Sequence, residues 1–245
     1  MNADPAVQLR LLDLQAADTS LAQLAHRRRS LPELAAITEH RGRLTGLEGA
    51  VVDAQTTIAD IELEQRRLEN DVDTVRTRTG KDQARLQAGG LPPRELSGLE
   101  HEIATLARRQ STLEDELLEV MERGETAADE LRVATAARDE VLDEMHALEA
   151  RRDEAFGEID AAVAGRTPER EAVAAALPAD LLALYEKSRS QGGTGAALLR
   201  QRRCEGCRIE ASGSELSALR KAEPDAVVRC ENCRAILVRT AESGL

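Results

Sequence analysis

The sequence predicts a mainly α protein: a long antiparallel coiled-coil helical hairpin followed by a small C-terminal module of different character. Three observations predict it. About a third of the 245 residues are charged while only 1% are aromatic, a balance that suits long helices rather than one globular core. Apolar residues recur every 3.5 positions along two long segments separated by Gly89-Gly90-Leu91-Pro92-Pro93. All four cysteines are gathered between residues 204 and 233.

The repeat is clearest in the second segment. Alternating steps of three and four from Leu96 pass through Leu99, Ile103, Leu106, Leu113, Leu117, Val120, Leu131, Val141, Met145, Leu148 and Ile159, and end at Ala162. Sixteen of these twenty positions are apolar, the mark of a coiled-coil seam. Gln110, Arg138 and Arg152 interrupt it and are expected to fix register or to reach outward with their charged ends. The first segment repeats the pattern from Leu44 through Val51, Ile58, Ile61, Leu68 and Val72 to Val75. Two glycines and two prolines between the segments stop one helix and start another. The chain should therefore reverse near 89–93, bringing Leu86 near Leu96 and Val75 near Leu106.

Upstream the register is looser. Ser30-Leu31-Pro32-Glu33 has the composition of a helix restart, with Ser30 as cap and an early proline. Gly42, Gly46 and Gly49 each weaken a helix by about 1 kcal/mol relative to Ala, so a kink or soft spot is expected between Ser30 and Gly49. Downstream, Thr167-Pro168 should end one helix and cap a short one running to about Ala176. Pro178 should open another carrying Leu181, Leu182, Leu184 and Tyr185. Gln191 to Gly195 is a breaker. The expected domains are the hairpin at 1–165, short connecting helices at 166–190 and the cysteine module at 191–245.

Within that module, Cys204-Glu205-Gly206-Cys207 and Cys230-Glu231-Asn232-Cys233 are separated by 22 residues. Each CxxC turn offers two thiolates to one cation, and two such turns make a tetrahedral S₄ site that suits zinc. Four thiolates close the coordination shell, so the ion is expected to be structural: one Zn²⁺ held by Cys204, Cys207, Cys230 and Cys233. Ala196–Leu199, Val227–Arg229 and Ile236–Arg239 are expected as strands around a helix at roughly 214–221. The residues after each second cysteine, Arg208 and Arg234, fall where a positive φ is wanted, which costs a non-glycine residue on the order of 1 kcal/mol.

Charge bounds the partners. The net charge is −12. Residues 191–245 carry nine Lys and Arg against seven Asp and Glu, leaving 24 against 38 in residues 1–190. Acidic helices repel a phosphate backbone, so nucleic acid is expected only at the cysteine module, where Arg200, Arg202, Arg203, Arg208, Arg229, Arg234 and Arg239 lie close in sequence. These arginines either neutralise the metal site or form a partner-binding patch. No aromatics are interleaved with them to stack bases. His26, His40, His101 and His146 are scattered without metal spacing. No apolar run is long enough for a membrane span and no signal peptide is evident, so a cytoplasmic location is expected, where thiols stay reduced and a metal is favoured over disulfides.

Together these stretches resemble the bacterial C4-type zinc-ribbon family, in which a long coiled-coil hairpin precedes a zinc ribbon. Arg94 to Ile103, just past the turn, Leu181 to Tyr185 and the two CxxC turns carry the resemblance. It implies a non-enzymatic adaptor. Relatives in flagellated bacteria look like chaperones or adaptors for an alternative sigma factor and flagellar transcripts, and chlamydial relatives like adaptors for secretion and transcription proteins. The expected function is thus a coiled-coil interaction protein with protein partners, monomer favoured. The alternative is a nucleic-acid-binding regulator acting through the ribbon arginines.

Overall fold

The computed structural model describes residues 1–245. Its contacts separate into two compact units, one of Ala35–Ala150 and one of Met1–Leu34 with Arg151–Leu245.

The first unit is an antiparallel helical pair drawn from α2 (Pro32–Ala88) and α3 (Pro93–Ala175). Gly89 and Gly90, at φ 71° and 79°, take the left-handed conformation that glycine reaches without a Cβ penalty, and Pro93 opens α3. The expected seam is the buried line. Every α2 seam position from Leu44 to Val75 is buried or half-buried, as is every α3 position from Leu99 to Ile159. Ile61 packs with Val120 and Ala127. Cross-helix pairs fix the register: Arg78 with Glu102, Arg76 with Glu114 at 2.7 Å, Arg123 with Glu64 at 3.0 Å and His40 with Glu144 at 3.0 Å. Exposed pairs of this kind contribute about 0–1 kcal/mol each, so the apolar seam supplies the stability. Gln110 bonds Glu114 along its own helix, while Arg138 and Arg152 turn outward to Asp139 and Asp153. These polar interruptions reach toward water.

The break expected between Ser30 and Gly49 is present but lies wholly at its first two residues, and the expected cap there fails. The helix runs unbroken through Gly42, Gly46 and Gly49; the interruption is confined to Ser30-Leu31, because Leu44, Leu47 and Val51 keep the glycine stretch on the seam. Ser30 does not cap the restart. Its hydroxyl donates to the His26 carbonyl at 2.9 Å and so closes the helix before it.

The second unit wraps a small sheet in helices. Helix α1 (Pro5–Arg29) starts on Asp4, whose carboxylate accepts from the Ala6 amide at 2.7 Å. Its buried stripe is Gln8, Leu11, Leu14 and Asp18. The expected break at Thr167-Pro168 does not occur: α3 continues to Ala175 with Pro168 inside it, and the Thr167 hydroxyl donates back to the Val163 carbonyl. An internal proline costs ~3 kcal/mol. Buried Ile159 on one side and Arg170 and Ala174 on the other anchor both flanks and outweigh it. Helix α4 (Ala179–Gly192) follows.

Four short strands come next: β1 (Ala196–Arg200), β2 (Arg203–Cys204), β3 (Val228–Arg229) and β4 (Ile236–Val238), with α5 (Gly213–Lys221) between β2 and β3. Their order is β2-β1-β4-β3, with β1 and β4 parallel and the other pairs antiparallel. Alternation along β1 and β4 divides the sheet into two faces. Ala196, Ile236 and Val238 join Leu11, Leu14, Leu177, Leu181 and Tyr185 in one core. Ala197, Leu199 and Leu237 join Leu219, Ala235, Cys204 and Cys230 in another. The cysteine module therefore has a helical floor, and its order does not rest on a metal alone.

Candidate metal centre

Each cysteine pair sits on a turn built from backbone hydrogen bonds. In the first, the Arg208 amide donates to the Cys204 carbonyl at 2.6 Å and the Cys204 amide to the Ile209 carbonyl at 3.1 Å. In the second, Arg234 donates to Cys230 at 3.0 Å and Cys230 to Ala235 at 2.9 Å. The two turns are the same construction used twice. Both need a left-handed residue after the second cysteine, and Arg208 and Arg234 adopt it at φ 60° and 66°, as the sequence led us to expect.

The turns face one another. The Cys204 and Cys233 sulfurs are 3.8 Å apart, as are those of Cys207 and Cys230, and all four lie within 4.8 Å of one another. A regular tetrahedron with Zn–S bonds of about 2.3 Å has S···S edges of roughly 3.8 Å. The donor set thus fits one structural zinc with a closed shell. Burial pushes the Cys204 thiol far up, against the Cys207 and Gly206 amides, and raises Cys233 against the Ala235 amide. Burial also raises Cys207, but the Ile209 amide and the neighbouring thiols outweigh it and leave that group lowered. Four thiolates this close need a cation to ionise together.

The surroundings hold the turns tightly. A Cβ on Gly206 would meet Ala197 and Thr194 at 3.1 Å, and one on Gly192 would stand 2.9 Å from the Cys233 carbonyl oxygen. Ser212 caps α5 by accepting from the Glu215 amide at 3.1 Å. Buried Glu215 reaches the second turn, accepting from the Glu231 amide at 3.1 Å.

The seven arginines separate by role. Arg239 is spent on the framework: its guanidinium donates to the carbonyls of Leu219, Ala222, Glu223, Pro224 and Ala226 at 2.6–3.2 Å. Arg200 pairs with Glu242 at 3.1 Å, and Arg202 donates to the Gly244 carbonyl at 3.2 Å. Arg203, Arg208, Arg229 and Arg234 have exposed side chains that pair with no carboxylate.

Sequence reasoning missed a polar cluster beneath the module. The Tyr185 hydroxyl donates to Asp18, Arg170 donates to Asp18 at 3.0 Å and to Glu186, and Arg189 pairs with Glu186 at 2.9 Å. Gln15 Oε1 accepts from the Gly195 and Ala196 amides at 2.7 and 3.2 Å, tying α1 to the start of β1. The available signal was Asp18 itself, a carboxylate at helical spacing behind Leu11 and Leu14.

Comparison with known proteins agrees with this geometry. The family model described as a CT398-like coiled coil hairpin domain matches residues 14–193, and that of a C4-type zinc ribbon domain matches residues 203–237. A protein of Mycobacterium tuberculosis is 36% identical over 239 residues, covering 98% of each chain. A solved structure from Mycobacterium smegmatis superposes with a TM-score of 0.88 at 34% identity, covering 98% of this chain and 100% of that one. CT398 from Chlamydia trachomatis shares the fold, with a TM-score of 0.55 at 19% identity over 96% of this chain and 98% of its own.

Proposed function

The chain belongs to the family of CT398-like coiled coil hairpin proteins that carry a C4-type zinc ribbon, and from that premise we propose that it is a non-enzymatic adaptor that works through protein–protein contacts. The observation that carries the reading is the closed tetrathiolate. Four sulfurs within 4.8 Å of one another leave an ion no open position for water or substrate, the feature that separates structural from catalytic zinc. The long seam supports it too, because its apolar residues are consumed by the chain's own antiparallel partner. On this reading the chain works as a monomer whose two long helices offer their outer faces to partners.

Affinity capture with the intact chain, compared with a Cys204→Ser/Cys230→Ser variant, tests the proposal. A defined protein retained at near-stoichiometric yield is expected with the intact chain. Failure to retain any protein at cellular concentrations counts against it.

A second reading, a nucleic-acid-binding regulator, is favoured by Arg203, Arg208, Arg229 and Arg234, which stand exposed without carboxylate partners. Binding of the full chain to RNA and to DNA across a salt series separates the two. A steep salt dependence lost in Arg208→Gln/Arg234→Gln would favour this second reading, and absence of binding the first.

A further inference from the structure

We infer that the helical pair, at its end beside the turn at 89–93, docks an acidic helix of a partner protein along the exposed line of Arg94, His101 and Arg108 on α3. The inference rests on the adaptor reading and supplies its contact surface and the class of partner.

Charge changes sign along the first unit. Residues 76–109 hold seven Lys and Arg against four Asp and Glu, whereas the rest of Ala35–Ala150 holds seven against 22. Pairing sharpens the contrast. Arg76 and Arg78 are taken by Glu114 and Glu102, and Asp82 is buried. Lys81, Arg85, Arg94, Arg108 and Arg109 stay exposed without a carboxylate partner, and the exposed carboxylates of this end are Glu95 and Glu100 alone. Local sequence explains why. A helix quenches a cation with a carboxylate three or four positions away, as Asp129 does for Arg132 and Glu62 for Arg66. Arg94 has Ser97 and Gly98 at those positions, and Arg108 has Ala104, Thr105, Ser111 and Thr112. Arg108 donates to the Thr105 hydroxyl instead, at 3.3 Å.

Steps of seven place Arg94, His101 and Arg108 on one line of α3. All three are exposed, and successive members stand about 10.5 Å apart along the axis. Ser97, Gly98, Ala104 and Thr105 lie between them with small side chains, so a second helix can come close. The next members of the line are Asp115, Glu122 and Asp129. Physiological salt screens exposed charges beyond about 8 Å, so a docked partner meets a basic end and an acidic continuation rather than their average.

The spacing and the reversal define the partner. A helix with a carboxylate on every seventh residue repeats the same rise and meets all three groups at once. Its acidic line must end within about one heptad of Arg108, because Asp115 follows. A nucleic acid fits poorly: it carries a phosphate every ~3.4 Å on each strand and runs on over Asp115, Glu122 and Asp129. Charge matching of this kind sets partner choice and register more than raw affinity.

The probe is a fluorescent Ala-rich helical peptide with Glu at three positions seven residues apart, titrated with the zinc-loaded full chain by anisotropy. A peptide of the same composition, with its Glu residues spread around the helix, is the comparison. The patterned peptide should bind about tenfold or more tighter. It should lose that advantage on Arg94→Glu/Arg108→Glu. It should keep it on Arg94→Lys/Arg108→Lys, and on Arg66→Glu/Arg132→Glu, an equal reversal elsewhere on the pair. Unchanged circular dichroism and thermal midpoint show that the variants fold. Equal binding of the two peptides, binding of neither, or equal losses on both reversals overturns the inference. Duplex RNA or DNA that binds tighter than the peptide and is lost on Arg94→Glu/Arg108→Glu also overturns it, as does self-association abolished by that variant. A cellular protein captured equally well by wild type and Arg94→Glu/Arg108→Glu removes the surface but keeps the adaptor; capture of nothing removes the adaptor itself.

Discussion

The Tyr185 hydroxyl donates a 2.7 Å hydrogen bond to the Asp18 carboxylate across 167 residues of sequence. This pair locks α4 onto α1, and Arg170 brings in α3 by donating to the same carboxylate. The tyrosine ring is fully buried and lies so close to Gly195 that a Cβ there would stand 2.4 Å from it. One side chain thus bridges two helices and sets the start of β1.

Burial first, and then Asp18, push the Tyr185 phenol well above its ordinary range. A folded value raised above the unfolded one gives stability that is complete below pH ~10 and lost as pH climbs past it. The chain has one Tyr and no Trp, so ultraviolet absorbance reports this phenol alone. Phenolate should appear only together with loss of helix. Ionisation near pH ~10 with intact circular dichroism would refute the packing described. Tyr185→Phe should cost about 2 kcal/mol, the scale of a hydrogen bond to a charged group, measured by urea denaturation.

Replacing Cys204 and Cys230 with Ser should abolish zinc binding. Because β1 and β4 also pack on Leu11, Leu14 and Tyr185, the loss should be local. Hydrogen exchange should accelerate in residues 203–210 and 228–235, while far-UV circular dichroism stays near wild type. Global loss of helix would show that the metal holds far more of the chain than its two turns.

Leu113 and Leu118 lie five residues apart on α3, one 1% exposed and the other 58%. Leu113→Ala should therefore destabilise by about 2–5 kcal/mol and Leu118→Ala by no more than about 0.5 kcal/mol, as read from thermal unfolding. Equal effects would place the seam elsewhere.

Arg239 binds five backbone carbonyls with one planar group. Lysine cannot reproduce that fork, so Arg239→Lys should behave nearly like Arg239→Ala. Both should lower stability by about 2 kcal/mol or more and loosen exchange protection in α5. Full rescue by lysine would reduce the residue to a simple charge.

Much of this was legible in the residues alone. The 3.5-residue spacing from Leu99 to Ile159 determined which line of α3 is buried, since helical geometry fixes which side chains share a face, while Leu96 and Ala162 at the ends of the repeat are exposed. Gly89 and Gly90 determined where the chain reverses. The two CxxC turns determined the metal site, because ligands three positions apart can reach one ion from a single tight turn. Arg208 and Arg234 were readable as left-handed for the same local reason.

Only the tertiary structure decided the rest. It carried α3 through Pro168, set Gln15 against the Gly195 and Ala196 amides, spent Arg239 on the framework, and joined Asp18 to Tyr185. Spacing along a chain governs geometry over a turn or two. Contacts between residues 167 or 180 positions apart arise instead from the burial of whole faces against one another. No local pattern encodes which face that will be.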